Sequence, residues 1–123
     1  MKLELLSGEF TIARLEAGDE LPAWARGEFV SLTRTAEQLS IVCSSANVPD
    51  EVLAERGWRA MRVAGRLDFS LTGLLASIAD PLARAGISIF AISTFDTDYV
   101  LVRAARLEDA AAALGAEGHE VVP

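Results

Sequence analysis

The chain is 123 residues long, 51% hydrophobic, and carries a formal net charge of −7 with one cysteine and one histidine. That length suits one compact domain or two very small ones sharing a core. The acid excess is spread along the chain, which argues against nucleic-acid or anionic-membrane partners, since phosphates need Lys and Arg. Cys43, alone, makes no intrachain disulfide and sits in an apolar run, where it reads as a small buried hydrophobe. His119 has no second histidine or cysteine cluster beside it, so neither a metal site nor a cofactor is expected. No basic-then-apolar leader and no run of membrane-spanning length occurs, so the expected compartment is the cytoplasm.

Residues 3–6 and 9–15 read as strands joined by Ser7 and Gly8. The stretch 16–27, with Gly18, Pro22 and Gly27, reads as loop with a helical turn around 21–25. Residues 29–33 and 38–43 form a hairpin about a polar turn at 34–37. Pro49, Asp50 and Glu51 have the composition of a helix start, and Gly57 that of its stop. Residues 58–64 are again strand. The period then changes: Leu71, Leu74, Leu75, Ile78 and Leu82 follow helical spacing, giving a helix over 70–85. Asp68 or Ser70 would cap it, Gly86 would end it, and Pro81 inside it should kink it or loosen its first turns. Residues 87–92 and 99–103 are strands, 107–114 a short helix with Glu108 and Asp109 at its acidic start, and 120–122 a last strand.

A shift of 61 positions lays Phe29 on Phe90, Thr33 on Thr94, Glu37 on Asp98, Leu53 on Leu114 and Gly57 on Gly118. Element order agrees with the identities, which points to an internal duplication, 1–57 and 58–123. The second half reads β-α-β-β-α-β, the ferredoxin-like order; in the first half the first helix has shrunk to a loop. The expected class is α+β, with antiparallel sheets backed by helices on one face.

Between its last two long strands the chain places Ser93-Thr94-Phe95-Asp96-Thr97-Asp98, richer in donors and acceptors than a tight turn requires. This string and the helix before it carry a resemblance. A duplicated module of this order resembles the ACT domains, small modules that bind amino acids. GRLDFSLTGLLASIADPLARAGISIFAISTFDTDYVLV (65–102) and FVSLTRTAEQLSIVC (29–43) are similar to segments of the arginine-sensing CASTOR proteins and their small bacterial relatives. CASTOR proteins carry four such modules. The resemblance therefore implies that this chain, with two in tandem, is half of such an assembly and that a homodimer rebuilds the whole.

The resemblance further implies a sensor that binds a free amino acid between modules and regulates another protein. The family's ligand positions match Asp68, Ser70, Thr72, Gly73 and Leu74 at the start of the long helix, and Thr94, Phe95, Thr97 and Asp98 on the hairpin. The facing module contributes Ile87 and Ser88. Asp68 stands where the family's arginine site has a glycine, and Ser70 where it has an aspartate, which puts arginine itself in doubt.

The chemistry of these residues fits a zwitterion, whose amine and carboxylate both need partners when buried. Helix N-terminal amides around Ser70–Gly73 can hold a carboxylate. Gly73 allows close backbone approach. Asp98 or Asp68 can pair an amine, Thr94 adds a hydroxyl, and Phe95 can wall an apolar stem. Each has a plainer alternative: Asp68 and Ser70 as caps, Gly73 as packing, Thr94 and Asp98 as partners of turn amides, and Phe95 as core. Trp24 and Trp58 read as core or interface, and Ser31, Thr33 and Thr35 as hairpin polarity. No GxSxG, HExxH or P-loop string is present, so no catalysis is expected. The competing expectation is a ligand-free interaction module of the same fold.

Overall fold

The computed structural model describes residues 1–65 and 72–123. They fall into two compact units, a helical unit (Met1–Ser7 with Arg59–Pro123) and a loop unit (Gly8–Trp58). Strand β5 (Ala54–Val63) supplies its first half to the loop unit and its second half to the helical unit.

The helical unit comprises β1 (Lys2–Leu5), the end of β5, α1 (Leu74–Arg84), β6 (Ile89–Ser93), β7 (Asp98–Arg103), α2 (Leu107–Ala116) and β8 (Glu120–Val122). Its strands lie in the order β8-β1-β5-β7-β6. From β5 onward the element order is the β-α-β-β-α-β read from the sequence. The addition is β1, which is antiparallel to β5 (Leu3 opposite Val63) and parallel to β8 (Leu3 opposite Val121). The first residues of the chain thus belong with its second half. Leu3, fully buried, joins Met61, Val63, Val100 and Val102 of the sheet under Ile78 and Leu82 of α1 and Leu114 of α2. Burying each such side chain stabilises by about 1.5–3 kcal/mol. Both helices pack on this one face.

The fold is the expected ferredoxin-like α+β, with shifts at the helix ends. α1 begins at Leu74 with Gly73 as its N-cap at φ +77°, and no described side chain caps it. The expected caps Asp68 and Ser70 lie outside the described residues. α1 runs on through Pro81, which is buried. It ends in a Schellman arrangement: the Ile87 amide donates to the Leu82 carbonyl at 2.9 Å and the Gly86 amide to the Ala83 carbonyl at 3.0 Å.

The loop unit contains β2 (Phe10–Leu15), β3 (Ser31–Arg34), β4 (Leu39–Ser44), a 3₁₀ turn (Ser45–Asn47) and the start of β5, in the order β3-β4-β2-β5. Its core is Ala13, Leu39, Ile41, Cys43 and Val48, with Trp24, Ala25, Val30 and Val52 packed against it. Segment 16–30 therefore does the covering that a helix does in the other unit. Cys43 is fully buried, and burial pushes its thiol above the ordinary value.

One expected element is absent. Residues 49–57 form a turn and then strand, not a helix. Asp50 and Glu51 are exposed and Leu53 is 71% exposed, so a helix there would have no apolar stripe to bury. Strand β2 takes up the backbone instead, with Ile12 opposite Glu55 and Phe10 opposite Trp58, and the register shifts between them. Gly57, at φ +80°, sits at that shift. The left-handed conformation read as a helix stop serves a β-bulge.

Candidate functional site

The topology of the helical unit collects the hairpin and the start of α1 at one end. β5 and β6 both pair with β7, and β6 is antiparallel to it. α1 carries the chain from the end of β5 back to the start of β6. The end of β5, the start of α1 and the β6–β7 turn therefore lie at the same edge. A hydrogen bond fastens the hairpin to the end of β5: the Thr97 hydroxyl donates to the Val63 carbonyl at 2.8 Å.

The hairpin has a two-residue loop, Phe95-Asp96, closed by the Thr94 amide donating to the Thr97 carbonyl at 2.8 Å. Among the described residues, no non-glycine residue has positive φ. The Thr94 hydroxyl completes the turn, donating to the Thr97 carbonyl at 3.0 Å and accepting from the Thr97 amide at 3.3 Å. Below the turn, Ser93 and Asp98 face each other in the ladder, and the Ser93 hydroxyl donates to Asp98 Oδ1 at 2.5 Å.

The sequence-derived residues fall into three groups. Thr72, Gly73 and Leu74 lie at the start of α1, at the same edge as Thr94, Phe95, Thr97 and Asp98. Thr94 and Phe95 are exposed, Asp98 is half-buried, and Thr97 is buried with its hydroxyl engaged by Val63. Phe95, read as core or as ligand wall, is 68% exposed and is not core, because a two-residue loop lifts it off the sheet. Ile87 and Ser88 lie at the other end of α1, a helix of 11 residues and so roughly 16 Å long. Within one unit they do not meet the hairpin, and Ile87 is a buried core residue. Asp68 and Ser70 fall outside the described residues. Ser93 was not singled out. Its signal was legible: in a hairpin with a two-residue loop, the residues flanking the closing pair face each other.

The loop unit supplies an internal control. There the Thr35 amide donates to the Gln38 carbonyl at 2.9 Å, and the Gln38 amide donates to the Thr35 hydroxyl at 3.2 Å. This is the turn of Thr94 and Thr97 over again. The following strands, Leu39–Ser44 and Asp98–Arg103, each run straight into a 3₁₀ turn. The structural register thus pairs Thr35, not Thr33, with Thr94, and Leu39, not Glu37, with Asp98. The threonine hydroxyls are what this turn needs in either unit. The Ser93–Asp98 pair is not, since Arg34 and Leu39 hold those positions in the loop unit.

On the opposite sheet face Arg62 pairs with Glu4, which raises the guanidinium pKa further. Arg84 is raised likewise, by Glu117 first and Asp80 second. Among the described residues, no cluster of His, Cys, Asp and Glu has metal-binding arrangement, and no helix is long and apolar enough to cross a membrane.

Comparison with known proteins matches residues 53–116 to the ACT-domain family ACT_7, and residues 8–51 to a separate N-terminal-domain family. A crystal structure of an Agobacterium tumefaciens protein is 44% identical, covers 98% of this chain and 91% of its own, and superposes with a TM-score of 0.93. The "Cytosolic arginine sensor for mTORC1 subunit 1" of Rattus norvegicus is 32% identical over 93 residues, 68% of this chain and 28% of the sensor. Its Homo sapiens counterpart is 50% identical over 46 residues, 37% of this chain and 14% of the sensor. The chain thus spans little more than a quarter of these relatives at most. An aspartate kinase of Clostridium acetobutylicum shares the fold alone, at 12% identity and a TM-score of 0.66 over 90% of this chain and 33% of the kinase. With more than half its length matched by that family, the chain belongs to the ACT-domain family and is a CASTOR-like member of it.

Proposed function

We propose that this protein is a non-catalytic regulator that binds a free amino acid, or a similar small zwitterion, at the hairpin edge of its helical unit. The observation that carries the reading is the Ser93–Asp98 pair. It is the polar feature the β6–β7 hairpin has beyond what its turn needs, and it lies at the same edge as the N-terminus of α1. Asp98 supplies an anion for an amine, the α1 amides a partner for a carboxylate, and exposed Phe95 a cover for an apolar stem. Thr72, Gly73, Leu74 and Thr94 complete this half of the site, with Asp68 and Ser70 on the connection leading into it.

The other half, Ile87 and Ser88, comes from a facing module in a second copy of the chain, making the working unit a homodimer. Strand β6 supports this: among the described strands it pairs with β7 alone, and Ile89–Ser93 carries no charge to repel a neighbour. The two halves of the chain are read as tandem modules of one duplicated unit, the first having lost its helices. Relatives named as cytosolic arginine sensors favour a cytoplasmic regulator acting through a partner protein.

A thermal-shift screen of the twenty amino acids tests this. A ligand at a hundred times its Kd adds about 2.7 kcal/mol, a rise in Tm on the order of 10 °C. Asp98→Asn should weaken that ligand by about tenfold or more while the unliganded Tm changes little. No stabiliser at millimolar concentration would favour the ligand-free interaction module instead.

A further inference from the structure

Pro81 lies inside α1 and has no amide hydrogen, so the Ser77 carbonyl, four residues back, loses its normal helical donor. A carbonyl left without a donor in mid-helix is a weak point. Here it has a substitute. His119, far along the chain in the turn before β8, brings its Nε2 to 3.0 Å from the Ser77 carbonyl. Its Nδ1 lies 3.3 Å from the Met1 nitrogen, a donor. A carbonyl can only accept, so Nε2 donates to it, and Nδ1, facing a donor, accepts; this is the arrangement of the Nε2–H tautomer.

We propose that His119 is a positioning residue for the start of α1: its imidazole replaces the hydrogen bond that Pro81 deletes and so ties the site-forming first turns of the helix to the turn before β8. The Ser77 hydroxyl does not do this work, since it donates to the Leu74 carbonyl at 2.6 Å. The link from His119 to the site rests on the ligand-binding reading above; the link from His119 to the helix does not.

The test is a double-mutant cycle on the full chain without ligand, read by amide hydrogen exchange. His119→Phe should speed exchange of the Ser77–Asp80 amides about twofold to tenfold relative to those of Val100–Val102 in the core. In the Pro81→Ala background an alanine amide serves the Ser77 carbonyl, and the same substitution should change nothing. His119→Gln, which keeps a nitrogen donor at similar reach, should exchange like the parent. Nitrogen NMR of the unsubstituted protein should show the Nε2–H tautomer, a measurement independent of whether any variant folds. Unchanged exchange in His119→Phe, an equal effect in both backgrounds, or an Nδ1–H tautomer would overturn the proposal. If a ligand is found, His119→Phe should weaken it by the same factor as it speeds exchange. Absence of any ligand leaves the exchange result to decide His119 alone.

Discussion

The two hairpins differ in what they need and what they carry. In the loop unit, Thr35 and Gln38 close a turn by the same two hydrogen bonds that Thr94 and Thr97 make in the helical unit. The repetition shows that a threonine hydroxyl accepting an amide is part of this turn's architecture, whatever the hairpin does. Ser93, Asp98 and exposed Phe95 have no counterpart of like chemistry, and function is best sought in them. The units differ in their covering as well. One packs two helices on its sheet, the other the irregular segment 16–30 with Trp24 and Val30. Only the unit with helices can offer a helix N-terminus beside its hairpin.

Matched substitutions sharpen this comparison. The largest effect is expected in the cores. Leu82→Ala in α1 should cost about 2–5 kcal/mol in denaturant unfolding, and a cost under about 1 kcal/mol would mean that α1 does not seal its sheet as described. Next comes the bulge. Gly57→Ala should cost about 1–2 kcal/mol, since the bulge holds that residue at φ +80°. Then come the turns. Thr35→Val and Thr94→Val should each cost about 0.5–1.5 kcal/mol by removing a turn hydrogen bond, and only the second should alter ligand affinity. Unequal costs would break the equivalence of the two turns.

The smallest effect concerns Cys43. Burial holds its folded thiol above the ordinary value, so the unfolded chain loses that proton first. This contribution is complete below the ordinary thiol pKa and is lost as the pH rises through the folded value. Cys43→Ala should therefore flatten the alkaline fall in stability seen in urea titrations at pH 8 to 10. Identical pH profiles would show that the burial has no energetic consequence.

Much of the fold was legible because its periodicities are local. The Leu74–Leu82 spacing fits a helix, the 98–103 run a strand, and the β-α-β-β-α-β order followed. The helix expected after Pro49 failed for an equally definite reason. Its start and stop residues were present, but it had no apolar face to bury, and β2 offered its backbone a better set of partners. Gly57 needed a left-handed conformation in either case, and the sequence could not say whether a helix end or a bulge would use it.

The candidate site divides the same way. Sequence by itself determined that a polar hairpin follows a leucine-rich helix and that acidic residues outnumber basic ones along the chain. Local propensity and side-chain chemistry act over a few residues, and those facts need no more than that. Tertiary structure alone decided that β1 joins the second half of the chain, that Thr97 is engaged by Val63, and that His119 serves a carbonyl exposed by Pro81. Each depends on strand order and register, which are set by burying the whole apolar face at once.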